Sequence, residues 1–220
     1  ALHCIAKLIQ KGYLVKTSIR SLNRKQEIID GISKVVDCNR KLEFCQLDLL
    51  KDDGWDDALN ECEYVLHTAS PVSLLLSNNP DDLIKPAVDG LERCLNSAVK
   101  NNVKRFVMTS SFSAIGAGSK EQELDDTNWT DLDNPNISPY DISKTKAEMF
   151  LWEYVSKLDE SKNNYLIKYH WDSNTDVPIE KKIDLSINCQ KFIESHNCKK
   201  LYQIWSNNEI ALTYGPMASG

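Results

Sequence analysis

The chain has 220 residues, 41% hydrophobic and 26% charged, with a formal net charge of -6. That is the make-up of a globular domain with a sizeable core. The acidic balance argues against a nucleic-acid footprint, which needs a basic face. No apolar run approaches the roughly 20 residues of a membrane span, and the start ALHCIAKLIQKGYLV is broken by polar residues, unlike a signal peptide.

In chain order, Leu2, Ile5, Leu8 and Ile9 share one face at helical spacing, and Gly12 stands where a helix end takes positive φ. YLVKTSI (13–19) reads as a strand and residues 24–32 as a helix. LEFCQLD (42–48) is a second strand and WDDALN (55–60) a short helix. EYVLHTA (63–69) is apolar almost throughout, as in a strand buried on both faces. A helix is expected over 81–101, a strand over RFVMTSS (105–111), a loop over 113–137 and a long helix over 139–157. Beyond it, 182–188 and 208–215 have strand character, and KFIESHNCKKLYQIW (191–205) between them reads as helical.

This strand–helix alternation predicts an α/β fold with a doubly wound parallel sheet. Such sheets bind ligands beyond the carboxyl ends of their strands. Arg20, Asp48, Thr68–Ser70 and Ser111 stand at those ends. The core is expected over 1–157, with 158–220 a poorly matching segment that holds remnants of the last core strands. The seven cysteines form no CxxC, and five fall in or beside core elements. Reduced buried thiols in a cytoplasmic protein are expected, with no metal site.

Tyr140 and Lys144 are four apart, so they share a helix face. Ser138, Pro139 and Asp141 mark that helix's start. Tyrosine, with an ordinary pKa of about 10, is a weak proton carrier near neutrality. An adjacent ammonium favours its phenolate and moves it towards the range where acid–base catalysis works. The spacing alone is a common coincidence and acquires weight only from its surroundings.

Those surroundings are YDISKTKAE (140–148), RFVMTSS (105–111), VLHTASPV (65–72) and the run IKPAVDGLERCLNSAVKNNVK before the 105–111 strand. Together, over residues 1–157, they resemble the extended short-chain dehydrogenase/reductases, in the dihydroflavonol reductase and cinnamoyl-CoA reductase branch. The resemblance implies a Rossmann-like fold and an NADP-dependent oxidoreductase that reduces an aldehyde or ketone, with the reverse alcohol oxidation. It implies that Tyr140 is the acid/base, that Lys144 assists it and holds the nicotinamide ribose, and that Ser111 hydrogen-bonds the carbonyl. Ser110 and Ser113 lie close enough to leave the serine open. Arg20 falls where the adenosine ribose sits; with Arg24 and Lys25, and no acid read nearby, it points to the 2′-phosphate of NADP, with NAD as the alternative. Asp48 and Leu49 would lie beside the adenine, and Thr68, Ala69 and Ser70 along the cofactor. Alternative readings are a nucleotide-sugar epimerase or dehydratase, a 3β-hydroxysteroid dehydrogenase-like enzyme, and a non-catalytic truncated homologue.

The sequence departs from that family at both ends. The family's opening strand and glycine-rich turn do not precede Ala1, which takes the place of the turn's third glycine. A fragment is therefore expected, lacking the central strand of the sheet, with two strand edges exposed that should be paired and weak dinucleotide binding. Ile187–Asn188 and Tyr214–Gly215–Pro216 stand further apart than in the family, and the substrate lobe is expected to be absent.

Overall fold

The computed structural model describes residues 1–71, 79–120, 124 and 128–158, and the backbone of 166–169 and 200–204. The elements follow the expected alternation: α1 (Leu2–Gln10), β1 (Leu14–Ile19), α2 (Lys25–Ser33), β2 (Leu42–Gln46), α3 (Trp55–Leu59), β3 (Tyr64–His67), α4 (Asp81–Lys100), β4 (Arg105–Thr109), α5 (Pro139–Ser156), β5 (Leu166–Tyr169) and β6 (Lys200–Ile204). Short 3-10 turns at Leu22–Arg24 and Phe112–Ala114 precede α2 and follow β4.

Helix α1 closes as its sequence demands. Gly12 has φ 93°, its N–H reaches the Ile9 carbonyl at 3.0 Å, and the Tyr13 N–H reaches Leu8 at 3.1 Å. Glycine enters that left-handed region without a Cβ penalty.

The six strands form one sheet in the order β2-β1-β6-β3-β4-β5, and every described pairing is parallel. Helices cover both faces. Ile5, Leu8 and Ile9 of α1 and Ile28 and Ile32 of α2 pack with Val15, Tyr64 and Val107 on one side. Leu91 and Leu95 of α4 and Leu151 and Val155 of α5 pack with Val65, Phe106 and Met108 on the other. Phe106, Val107 and Met108 thus alternate between two cores, which explains the unbroken apolar runs of these strands. Fully burying one such side chain contributes roughly 1.5–3 kcal/mol.

Two expectations are corrected at the centre of the sheet. Residues 200–204 form a strand, although they lie in the 191–205 stretch read as helical. That strand pairs with both β1 and β3, Val15 and Tyr64 each lying opposite Leu201. The edges expected to be exposed are therefore hydrogen-bonded. Local pattern could not reveal this, because the pairing joins segments about 185 and 135 residues apart and is decided by tertiary context. The strand candidates at 182–188 and 208–215 lie outside the described residues.

Strand ends fall short of expectation where polar side chains capture the backbone. Strand β2 stops at Gln46, before the Asp48 carboxylate accepts the Leu50 N–H at 3.0 Å. Strand β4 stops at Thr109, and the Ser111 hydroxyl then accepts the Ser113 N–H at 3.2 Å. These are local side-chain turns that compete with the ladder. Among the described residues no helix is long and apolar enough to cross a membrane.

Candidate active site

Helix α5 opens with a complete capping box. The Ser138 hydroxyl accepts the Asp141 N–H at 3.2 Å, the Asp141 carboxylate accepts the Ser138 N–H at 2.8 Å, and Pro139 occupies the first turn. Such caps contribute typically about 1 kcal/mol. The cap fixes where the helix starts, and so which residues share its inner stripe. Tyr140 and Lys144 do so, with Lys144 Nζ 5.8 Å from the centroid of the Tyr140 ring. Lys144 is only 5% exposed, and Tyr140 is half-buried.

The segment after β4 is tied to this helix. The Thr145 hydroxyl shares its hydrogen between the Ser113 carbonyl at 3.1 Å and the Asp141 carbonyl at 2.8 Å, and the Thr130 hydroxyl donates to the same Ser113 oxygen at 2.9 Å. Ser110 donates its hydroxyl hydrogen to the Glu148 carboxylate. Ser111, 4% exposed, uses its oxygen to accept from Ser113, and its hydroxyl hydrogen meets no acceptor among the described residues. The Ser110 and Ser111 hydroxyls thus differ in their hydrogen bonding.

His67 ends β3 beneath the same stripe. Its ring stacks on Phe106 at 5.9 Å, and its Nδ1 is buried without a hydrogen-bond partner. Burial, and then the Lys144 ammonium, push its pKa down to about 3, so the ring is neutral.

Arg20 is exposed at the bend after β1, its carbonyl accepting from Gln46 Nε2 at 2.9 Å. Its guanidinium has no partner among the described residues. Arg24 differs, and here the reading of a turn without acids is corrected: Glu27 receives Arg24 through two bonds of 2.9 and 2.8 Å. Both lie on one face because they are three residues apart. Lys25 stands over the Phe44 ring at 5.3 Å.

Asp48 is half-buried, while Leu49 is buried against Gly90 of α4. Thr68 is half-buried, and Ala69 and Ser70 are buried just past β3. A groove on the α3–α4 flank, lined among others by Asp52, Asp56, Arg93 and Ser97, contains none of the candidate residues. Two of its four acids are paired, Asp52 with Arg93 and Asp56 with Lys100.

Sequence reasoning passed over Thr145 and Glu148. The signal for Glu148 was present: it continues the four-residue spacing of Tyr140 and Lys144 onto a face otherwise marked by Ala147, Leu151 and Val155.

A doubly wound parallel sheet with helices on both faces has the Rossmann-type architecture. The sequence profile described as "NAD dependent epimerase/dehydratase family" matches residues 3–162, and the chain belongs to that family. It is 33% identical over 160 residues to vestitone reductase of Medicago sativa, covering 68% of this chain and 48% of that protein. It is 32% identical over 158 residues to cinnamoyl-CoA reductase CAD2 of Medicago truncatula, covering 68% and 48%. The chain thus spans about half the length of the curated relatives it matches. Among solved structures it resembles yeast methylglyoxal/isovaleraldehyde reductase complexed with NADPH, with a TM-score of 0.66, 24% identity, and coverage of 77% of this chain and 54% of that one. That last likeness establishes the fold.

Proposed function

We propose that the protein is an NADP-dependent oxidoreductase that reduces an aldehyde or ketone and, in reverse, oxidises the alcohol. The observation that carries this reading is the buried Lys144 ammonium beside Tyr140 on the inner stripe of α5. The matched relatives named vestitone reductase and cinnamoyl-CoA reductase favour carbonyl reduction over sugar-nucleotide epimerisation.

The residues present fit a nicotinamide dinucleotide. The Arg20 guanidinium, exposed and without a partner among the described residues, suits the 2′-phosphate of NADP. The yeast reductase solved with NADPH supports that choice of cofactor. Asp48 and Leu49 would flank the adenine, and Thr68, Ala69 and Ser70 would line the path of the cofactor. When bound, the dinucleotide supplies the hydride.

The remaining chemistry belongs to the chain. Ser111 donates its free hydroxyl hydrogen to the carbonyl oxygen and orients it. Tyr140 delivers a proton to that oxygen as negative charge develops there. Lys144 stabilises the phenolate left behind and holds the nicotinamide ribose. His67, kept neutral by burial, adds no second positive charge beneath Lys144. We assign residues 1–157 to the cofactor-binding core. The five described cysteines are free thiols, which fits a reducing cytoplasm.

The test is NADPH consumption with a panel of aldehydes and ketones, compared between the protein and Tyr140→Phe. The expected result is a fall in turnover on the order of 100-fold or more with NADPH binding retained. Equal turnover in the variant would refute the assignment.

A further inference from the structure

We propose that Glu148 is a positioning residue for Ser111, acting through the buried hydrogen bond it receives from Ser110. This rests on the Ser–Tyr–Lys reading above and assigns a residue that supports that site from behind.

Glu148 is fully buried, on a helix face where Ala147, Leu151 and Val155 are buried as well. A carboxyl group in such a place is costly unless its oxygens are hydrogen-bonded. Both are. One accepts the Ser110 hydroxyl and the other the Trp152 indole N–H at 3.3 Å. An apolar side chain would fill the stripe but could not hold Ser110.

The geometry gives this bond its consequence. Glu148 stands one helical turn after Lys144, which stands one turn after Tyr140. Thr145, on the turn between Lys144 and Glu148, shares its one hydroxyl hydrogen between the Ser113 carbonyl at 3.1 Å and the Asp141 carbonyl of its own helix at 2.8 Å. The strand end is therefore fastened to the Tyr140–Lys144 helix at two points, Ser110 and Ser113. Ser111 lies between them, in extended backbone with φ -150° and ψ 155°. Its oxygen accepts from Ser113, leaving its hydrogen available. Loosening the Ser110 fastening lets Ser111 drift relative to the phenol, and small misplacements of reacting groups are expensive in rate.

The experiment compares the protein with Glu148→Gln, Glu148→Ala and Ser110→Ala by hydrogen–deuterium exchange and by NADPH-dependent carbonyl reduction. Glutamine can give its N–H to Ser110 and its oxygen to Trp152, so it keeps both contacts. We expect faster exchange confined to the 109–114 segment in Glu148→Ala and Ser110→Ala, with β1 and β2 unchanged and Glu148→Gln close to the parent. Turnover number should fall on the order of 100-fold in Glu148→Ala, with KM and NADPH affinity within about two-fold, and should be largely recovered in Glu148→Gln. Should Glu148→Ala fail to fold, Ser110→Ala gives the same answer, with a smaller fall of about 10-fold. Unchanged exchange at 109–114, or a rise spread evenly over the sheet, would overturn the proposal. So would a KM rise with turnover number intact. Failure of the reductase reading shows differently, as no NADPH-dependent reduction by the parent; the exchange result then still decides whether Glu148 holds the serine segment.

Discussion

Replacing Gly90 by alanine sets two known effects against each other at a point that links fold to site. In the interior of α4 the change should help, because alanine exceeds glycine in helix propensity by about 1 kcal/mol. The packing opposes it. A Cβ on Gly90 would stand 2.5 Å from Leu49 Cδ2 and 2.8 Å from Leu49 Cβ. The first contact can be relieved by rotating the leucine, but the second cannot, because Leu49 Cβ moves only with its backbone. That backbone is held on both sides: Asp48 accepts the Leu50 N–H at 3.0 Å, and Arg93 Nη1 donates to the Leu49 carbonyl at 2.9 Å. Overpacking of this kind costs about 1–3 kcal/mol. The balance of the two is a net loss of about 0–2 kcal/mol, with a fall in Tm of up to roughly 8 °C. Denaturant unfolding of Gly90→Ala, Leu49→Gly and the double variant measures it. With the leucine side chain removed together with its Cβ, Gly90→Ala should become neutral or stabilising, a reversal of sign that isolates the contact. A gain of about 1 kcal/mol from Gly90→Ala in the parent protein, the value for an unobstructed helix, would refute the close approach.

Other predictions follow from single residues. Arg20→Asp should weaken NADPH much more than NADH in a fluorescence titration, since a charge-assisted pair to the 2′-phosphate becomes a repulsion; equal losses would remove Arg20 as the selector. His67 stays neutral when folded down to about pH 3, whereas its unfolded value is 6.5. Between those values the unfolded chain holds the extra proton, so stability rises with pH across that window and is lost as pH falls, at up to about 1.4 kcal/mol per pH unit. His67→Gln should flatten that part of the stability–pH curve, and an unchanged slope would show that His67 does not titrate this way. Cys94, buried and with its thiol pushed well up by that burial and then by Cys62, should resist alkylation in the native protein while half-buried Cys4 and Cys45 react; rapid labelling of Cys94, read by peptide mapping, would contradict its burial.

Much of the fold was legible because both core faces are written in short-range periodicity. The α1 stripe, the apolar runs of β3 and β4, and the capping box of α5 each follow from a handful of adjacent residues. The Tyr140–Lys144 pairing was legible for the same reason, being one turn of one helix. What escaped was non-local. Nothing near Lys200 announces that it will pair with Leu14, and nothing near Ser110 announces a carboxylate 38 residues later. The Arg24–Glu27 pair, by contrast, is local: two residues three apart on one helical face, within reach of short-range geometry.

Hydride transfer at a site organised by Tyr140 can be followed with an isotopic label. The protein is incubated with NADPH deuterated at the transferring position and a panel of aldehydes, and the alcohol products are examined by mass spectrometry. Deuterium is expected on the carbinol carbon with the parent protein, with a yield lower by on the order of 100-fold or more with Tyr140→Phe at the same cofactor occupancy. Absence of label transfer at saturating cofactor, or equal transfer by Tyr140→Phe, would contradict this reading.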